Sequence, residues 1–363
     1  MDPFVDALLG DLEDQLAFFE VGDVPSVYIG GGTPSVLGAA RMGRLLSGIK
    51  NLLDPLACRP AEFSVEANPE SADEAFLRAC VDGGVSRISL GIQTFHEASR
   101  RQIGRGGDPA MVSRRLALVA ERFPKAFSAD LIAGLPFQTR ALLSNDIERL
   151  LGFEPAHVSL YSLTLDPETP LGRRARAAGR AALSLPPEDE ADGLWIAGRD
   201  MLEDAGLAQY EVSNFALPGK TCMHNIRYWR MENWLGAGPC ASGTILCESG
   251  RGRRFTYPGD IAAYLAAPRP LIRLAHAEEL SKADLMLETL LMGFRYRGGP
   301  DPQSFERRFG RSIADCIPGT IARWRGRGFF EAGDPGTLAP SREGLLFVNG
   351  FLRDAFGEIA LGG

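Results

Sequence analysis

The chain has 363 residues and a formal net charge of −7, and 45% of its residues are hydrophobic. This composition is typical of a globular protein and excludes extensive disorder. The acidic balance argues against nucleic acid or an anionic membrane surface as the main partner. No window approaches about 18 uninterrupted apolar residues, so we expect no membrane span. The N-terminal residues resemble no secretory leader and the cysteines form no paired motif, so we expect a cytoplasmic location.

Strand and helix patterns alternate along the first two hundred residues. Apolar spacing predicts helices over residues 3–20, 38–52, 73–82, 110–121, 139–151 and 188–205. Short apolar runs predict strands over 26–29, 63–66, 87–92, 127–131 and 157–161, with a sixth strand over 210–213. The short connections between them indicate parallel βαβ units, and therefore an α/β fold with its helices on the outside.

The pattern changes near the segment Pro258–Pro270, which we predict to be a linker. The predicted domain organisation is a β/α domain over 1–215, a connecting segment over 216–265 and a helical domain over 266–363. Helices are predicted over 278–293, 302–309, 316–326 and within 341–356, with a small hairpin around Phe329–Phe330 and Leu338. This order resembles a winged helix, a fold that often binds DNA. The arginines in this region (Arg307, Arg308, Arg311, Arg323, Arg325 and Arg327) are better explained by a solvated helix face, and we expect no nucleic acid partner.

Polar or glycine-rich residues follow every predicted strand of the first domain. They are Gly30–Thr33, Glu66, Gln93, Asp130 and the segment Tyr161–Thr164. In parallel α/β folds, ligands bind at the carboxyl ends of the strands. The sequence therefore predicts a ligand site at this edge of the sheet.

Each of these residues also has a structural interpretation. The glycines allow a close backbone approach to a ligand, or they form a tight turn, and they match neither the Walker nor the G-x-G-x-x-G pattern. Glu66 and Asp130 need a cation or a donor, which could be a ligand or an arginine such as Arg87 or Arg105. Gln93 could bind a ligand or cap the next helix. A phosphate-binding barrel is disfavoured because no Lys or His lies beside the glycines.

Five phrases in order resemble the radical S-adenosylmethionine (SAM) family, and more closely its oxygen-independent coproporphyrinogen III oxidase-like members. They are Ile29–Ser35 (IGGGTPS), Val65–Pro69 (VEANP), Arg87–Phe95 (RISLGIQTF), Asp130–Pro136 (DLIAGLP) and Val158–Tyr161 (VSLY). The resemblance implies that Gly31, Gly32 and Thr33 hold the methionyl end of SAM and that Glu66 binds its ribose or amine. It also implies that Gln93, Arg105 and Asp130 line the cofactor and substrate cavity and that Thr164 makes a backbone contact.

A later phrase separates two branches of that family. Cys222–Trp229 (CMHNIRYW) contains His-Asn-x-x-Tyr-Trp, which is typical of the haem chaperone branch and absent from the true oxidase. The resemblance implies a protein that binds haem and delivers it to acceptor proteins, with the oxidase as the alternative. His224 and Cys222 are chemically able to ligate haem iron, although His224 could instead be a core histidine.

In this family, three cysteines spaced Cys-x3-Cys-x2-Cys hold a [4Fe–4S] cluster that passes an electron to SAM. The 363 residues contain no such triplet, so we assign no metal ligand. The resemblance places the triplet after the first barrel strand, upstream of the helix that opens this chain. We therefore expect a partial (β/α)6 barrel without its first strand, plus a C-terminal helical, winged-helix-like domain. The chain is either a truncated form or a relative that has lost the cluster, and as written we expect it not to cleave SAM reductively.

Overall fold

The structure is a computed structural model of the chain and describes residues 2–56, 60–106, 108–247, 249–333, 336 and 338–362. Residues 334, 335 and 337, in the turn of the predicted C-terminal hairpin, lie outside these ranges. In the described part of the chain, no helix has both the length and the apolar character that a membrane crossing needs.

Strands and helices alternate in the first domain as the sequence predicts. The strands are β1 (Ser26–Ile29), β2 (Glu62–Ala67), β3 (Arg87–Gln93), β4 (Phe127–Ala133) and β5 (His157–Ser162). The helices are α1 (Pro3–Phe18), α2 (Gly38–Leu53), α3 (Glu74–Asp82), α4 (Glu97–Gln102), α5 (Pro109–Arg122), α6 (Arg140–Leu151), α7 (Pro170–Ala178) and α8 (Glu188–Asp204). Of these, only the short helices α4 and α7 escaped prediction. Five of these helices begin at a side chain that accepts a hydrogen bond from the first turn: Asp2 in α1, Asp73 in α3, Asp108 in α5, Thr139 in α6 and Thr169 in α7.

Together with β6 (Ala208–Gln209) and β7 (Asn214–Ala216), the described strands of this domain form one sheet in the order β1-β2-β3-β4-β5-β7-β6. Strands β1 to β5 are parallel, which confirms the predicted α/β architecture. β3 shows how the sheet is divided, because Ile88, Leu90 and Ile92 are fully buried while the residues between them are half-buried. One face of the sheet therefore packs on the helices, and the other carries polar side chains.

The sixth strand differs from the prediction. Residues 210–213 form a turn, and β6 (Ala208–Gln209) and β7 (Asn214–Ala216) lie on either side of it. β7 pairs antiparallel with both β5 and β6, so the sheet does not continue as a parallel barrel strand here. The turn is closed locally, since the Ser213 amide donates to the buried Glu211 carboxylate at 3.2 Å. The backbone here pairs with a distant segment instead, since Glu211 forms an isolated bridge with Tyr296 and the Val212 amide donates to the Arg295 carbonyl at 3.1 Å. The prediction of a strand of the main sheet at this point was wrong.

A second sheet was not predicted at all. It contains β8 (Ser242–Leu246), β9 (Gly252–Thr256) and β10 (His276–Leu280), antiparallel in the order β10-β9-β8 among the described residues. The short helix α9 (Met223–Trp229) precedes it, and α10 (Ile261–Ala266) lies between β9 and β10. The segment 258–270 is therefore not an extended linker, because it holds α10 with Tyr264 fully buried.

The C-terminal region is helical. It contains α11 (Lys282–Gly293), α12 (Pro302–Phe309), α13 (Ile313–Cys316), α14 (Pro318–Arg325) and α15 (Val348–Gly362). Its own core is rich in aromatic residues, including Phe294, Phe329 and Phe351. The predicted hairpin is reduced to a single bridge between Phe330 and Pro340 in the described residues. Part of the arginine-rich surface is paired within the domain, since Arg323 forms an ion pair with Asp354 and Arg327 lies over the Trp324 ring.

Candidate functional site

The glycine turn follows β1 directly, with its residues exposed at the end of the strand. Gly31 has a φ of +89°, a conformation that side-chain-bearing residues rarely adopt. Gly30 is needed for a different reason, because a Cβ there would lie 2.5 Å from a Tyr28 ring carbon and 2.8 Å from the Glu66 carboxyl carbon. Gly31 and Gly32 have open space around them, with no described atom within 4 Å of an added Cβ. The turn thus presents bare backbone to any ligand at this edge.

Glu66, on β2, lies beside this turn. Its Oε1 accepts a hydrogen bond from the Tyr28 hydroxyl at 2.7 Å, and its Oε2 accepts one from the Gly31 amide at 3.3 Å. Burial and the nearby Glu66 charge raise the pKa of Tyr28 well above its usual range, so the hydroxyl stays protonated and donates. Each carboxylate oxygen retains a lone pair for a ligand donor.

Asp130 lies on the same face of the sheet as Glu66. The strand register aligns Glu66 with Ser89, and it aligns Asp130 with Gly91 and with Ser159. Ser89 and Gly91 are two residues apart on β3 and therefore point to the same face, as aligned residues of parallel strands also do. The Ser89 hydroxyl donates to Asp130 at 3.3 Å. Burial raises the pKa of Asp130 to about 6, helped by the Glu66 charge and opposed by hydrogen bonds from Ser159 and Ser89. This carboxyl therefore changes charge close to neutral pH.

Gln93 and Arg105 complete this group at the end of β3. Gln93 has a φ of +68° at the point where the register of β3 shifts. The side chains of Gln93 and Arg105 both lie close to Gly91, because a Cβ added there would be 3.1 Å from Gln93 Nε2 and 3.8 Å from an Arg105 nitrogen. The positive charge of Arg105 acts to lower the pKa of Asp130. Gln93 does not cap the next helix, because α4 begins at Glu97 and its N-cap residue is His96. The structure therefore brings Gly31, Glu66, Gln93, Arg105 and Asp130 together around one sheet edge.

The remaining sequence-predicted residues lie at the margin of this group. Gly32 and Thr33 continue the turn and are exposed. Thr164 is two residues beyond β5 and is also exposed. Arg87, considered as a partner for Glu66 or Asp130, instead forms an ion pair with Glu62 at 3.2 Å. The two site carboxylates are thus not neutralised by that arginine.

His224 lies in the wall of a large cleft of about 1270 Å³. The cleft runs along β1 and the glycine turn and is bordered by apolar side chains of α1 and α2. The His224 ring stacks on the Tyr28 ring at 4.5 Å between centroids and 19° between planes. Burial lowers the pKa of His224, so its imidazole is neutral at pH 7. Within the described residues, neither ring nitrogen forms a hydrogen bond.

Cys222 is placed quite differently from His224. Its side chain is buried, and its thiol donates to Glu62 Oε1 at 3.2 Å. Burial and the Glu62 charge raise the pKa of Cys222 to about 12, so it is held as a thiol rather than the thiolate that ligates iron. Glu62 also accepts from the Met223 and His224 amides, at 3.0 and 3.1 Å, at the start of α9. This geometry gives Cys222 a structural partner and leaves His224 as the iron-ligand candidate.

Two residues of the site were missed by sequence reasoning. Tyr28 was treated only as part of a buried strand, although a buried tyrosine needs a partner for its hydroxyl. Glu62 lay just outside the predicted strand boundary, and its contacts to Arg87 and Cys222 span 25 and 160 residues. No local sequence pattern indicates contacts between residues so far apart along the chain.

The residues present do not fit a [4Fe–4S] cluster. The sequence has no Cys-x3-Cys-x2-Cys, and the described residues contain no group of three or more His, Cys, Asp or Glu side chains arranged to hold a metal. We therefore derive no reaction step through such a cluster. The strand-end group does fit a cationic nucleoside such as SAM, because it combines a bare backbone turn with two carboxylates, an amide and a guanidinium.

Comparison with known proteins identifies the family. A family model described as the radical SAM superfamily matches residues 7–150, and one described as the HemN C-terminal domain matches residues 280–347. A protein named "Heme chaperone HemW" from Lactococcus lactis is 36% identical over 305 residues, which is 84% of this chain and 78% of that protein. This chain belongs to the HemW family of the radical SAM superfamily. The HemW of Bacillus subtilis is 28% identical over 360 residues, covering 99% of this chain and 92% of that protein.

The fold of this HemW family member also resembles a solved structure. Coproporphyrinogen III oxidase (HemN) from Escherichia coli, described as a radical SAM enzyme, superposes with a TM-score of 0.78. The match covers 97% of this chain and 82% of that one at 19% sequence identity. At this identity the likeness establishes the fold, including the α/β sheet and the helical C-terminal region, and does not by itself transfer the oxidase activity.

Proposed function

We propose that this protein is a cytoplasmic haem chaperone that binds haem through His224 and passes it to acceptor proteins. The names of its HemW relatives and its His-Asn-x-x-Tyr-Trp phrase support this function. We further propose that SAM binds at the strand ends, with Gly31, Gly32 and Thr33 at its amino-acid end and the neighbouring polar group around the rest. That polar group is Glu66, Gln93, Arg105, Asp130 and Thr164.

One observation carries the haem part of the proposal. His224 is a neutral imidazole in the wall of the 1270 Å³ cleft, and no described residue occupies its ring nitrogens. The His224 side chain is half-buried, and its ring nitrogens are not among the buried polar atoms that lack a partner, so they are accessible to a ligand from the cleft. The neutral imidazole is also the form that ligates iron.

The cleft suits the two chemical parts of a porphyrin. Its apolar wall is formed by Leu8 and Leu12 of α1 and Leu45 of α2, which can cover an apolar macrocycle. Arg41 and Arg227 also line it, and guanidinium groups pair well with propionate carboxylates. Both arginines already have acidic partners on the surface, Asp2 and Glu232, which a propionate would replace.

The strand-end group supplies complementary interactions for a sulfonium nucleoside. The turn offers backbone amide and carbonyl groups, and Glu66 accepts from amine or ribose hydroxyl donors. Asp130 supplies a second negative charge above its raised pKa, and Gln93 can both donate and accept. SAM itself would supply a positively charged sulfonium group, and the two carboxylates favour its binding electrostatically.

A titration with ferric haem tests the proposal. We expect saturable binding with a Soret band distinct from that of free haem. The His224→Ala variant should shift that band and weaken binding at least about tenfold, corresponding to about 1.4 kcal/mol. The matched control is His276→Ala, since His276 is exposed on β10, away from the cleft. Its spectrum and affinity should match the wild type.

Two results would reject the proposal. Unchanged binding in the His224→Ala variant would remove the ligand assignment, and equal losses in both histidine variants would indicate non-specific association. Delivery is measured separately by mixing the haem-loaded protein with excess apomyoglobin and following the absorbance. A protein that delivers haem releases it to the acceptor, whereas complete retention would contradict a chaperone role.

A further inference from the structure

The Tyr28 side chain directly contacts both His224 and Glu66. Its hydroxyl donates to Glu66 Oε1 at 2.7 Å, while its ring stacks on His224 with centroids 4.5 Å apart. The two contacts use opposite parts of the tyrosine, the polar tip and the aromatic face. A shift of either neighbour therefore changes the environment of the other through one rigid ring.

We infer that Tyr28 is a positioning residue that couples the two binding sites, so that a sulfonium nucleoside at Glu66 strengthens haem binding at His224. This inference rests on the proposed function, because it assumes that both sites bind those ligands. It adds an energetic link between them and names the side chain that carries the link. Thermodynamic coupling must be reciprocal, so haem must strengthen nucleoside binding by the same factor.

The residues around Tyr28 hold Glu66 and His224 in place on either side of its side chain. A Cβ on Gly30 would lie 2.5 Å from its ring and 2.9 Å from Glu66 Oε1, so the absence of a side chain there leaves room for the contact. Glu66 is held on its other side by the Gly31 amide. His224 is held by its backbone, since its amide donates to Glu62. The ring of Tyr28 thus lies between two groups that are each anchored independently.

The sign of the coupling follows from the hydrogen bonding of Glu66. Each of its oxygens accepts one described hydrogen bond and has capacity for another, so a ligand donor can be added without removing Tyr28. The added donor restricts the carboxylate and, through the hydroxyl, the tyrosine ring. A His224 ring held against an ordered Tyr28 loses less freedom when it binds iron, and that favours haem binding.

The experiment measures haem affinity by Soret titration with and without 1 mM SAM, in the wild type and in Tyr28→Phe. We expect SAM to lower the haem Kd of the wild type at least about threefold, and to change that of Tyr28→Phe by less than about 1.5-fold. The phenylalanine keeps the ring that stacks on His224, so the comparison tests the loss of the hydroxyl alone. Equilibrium dialysis of labelled SAM, with and without haem, should give the same coupling factor.

The matched control is Tyr264→Phe. It also removes a buried tyrosine hydroxyl that donates to a carboxylate, Asp11 at 2.8 Å, but it contacts neither site. This control should keep the wild-type coupling, which separates the specific link from a general loss of stability.

Three outcomes would overturn the inference: a wild-type haem Kd that SAM leaves unchanged, a Kd that SAM raises, and coupling that persists in Tyr28→Phe. The wild-type measurement decides the first two even if the variant fails to fold. Failure of the proposed function looks different, because haem binding would then be insensitive to His224→Ala, or the dialysis would detect no SAM binding in the absence of haem.

Discussion

Replacing Glu62 with alanine should destabilise the protein more than any exposed carboxylate replacement. Glu62 is buried, pairs with Arg87 at 3.2 Å and accepts hydrogen bonds from two amides at the start of α9. Removing it leaves a guanidinium with only 11% of its side chain exposed and without its counter-charge. Breaking a buried pair in this way costs about 3–5 kcal/mol.

The lower end of that range applies here because Arg87 also donates to the Lys220 and Thr221 carbonyls. An unfolding entropy of about 2.1 cal/mol/K per residue turns 3 kcal/mol into a fall in Tm of about 4 °C for a chain of this length. Thermal unfolding followed by circular dichroism measures this. The matched control is Glu97→Ala, whose Arg101 partner is exposed, and it should change stability by less than about 1 kcal/mol.

A pH series adds a second test of Glu62. Burial alone would raise the pKa of Glu62, but Arg87 and the two amides outweigh it and hold that pKa below the ordinary value of 4.5. Its stabilisation is therefore complete above pH 4.5 and is lost as the pH falls through the lowered pKa. The stability gap between wild type and Glu62→Gln should narrow only below pH 4.5. A Glu62→Ala Tm within 1 °C of the wild type at pH 7 would refute the reasoning.

Three further predictions concern Cys222, His157 and Gly30. Cys222→Ala should keep the Soret maximum of the haem complex, because the thiol is hydrogen-bonded to Glu62. A shifted Soret band would instead indicate that Cys222 ligates the haem iron. Burial lowers the pKa of His157 to about 3, so the unfolded chain binds a proton there below pH 6.5 that the folded chain does not. The folded state should therefore lose stability between pH 6.5 and about 3, less so in His157→Gln, as urea unfolding at each pH would measure. Gly30→Ala should lower Tm and disturb Tyr28, whereas Gly32→Ala should not, because only the first added Cβ meets other atoms; equal melting curves would contradict this.

Much of the fold was predictable because its signals are local. Short apolar runs and helical apolar spacing placed β1 to β5 and their longer helices within a few residues. The order of the parallel strands then required the strand-end residues to share an edge, and Glu66 and Asp130 do share one face. The family resemblance added ligand identities that residue chemistry alone left open.

The errors occurred where local preference and tertiary contacts disagree. Tyr210–Ser213 has the composition of a strand, but the Glu211 side chain closes it into a turn that returns antiparallel to β5. The second sheet was missed because its strands are not runs of apolar residues, since β9 contains Arg253 and Arg254 and β10 contains Glu278 and Glu279. In addition, β10 pairs with β9 only across the intervening helix α10.

The sequence by itself determined the α/β alternation, the glycine turn and the polar residues at the strand ends. Those features follow from spacing along one segment of chain. Only the tertiary structure decided that Cys222 is bound to Glu62, that Arg87 leaves Glu66 free for other donors, and that Tyr28 joins the two sites. The physical reason is that a buried polar group takes whichever partner the packing brings near, and here those partners come from distant parts of the chain.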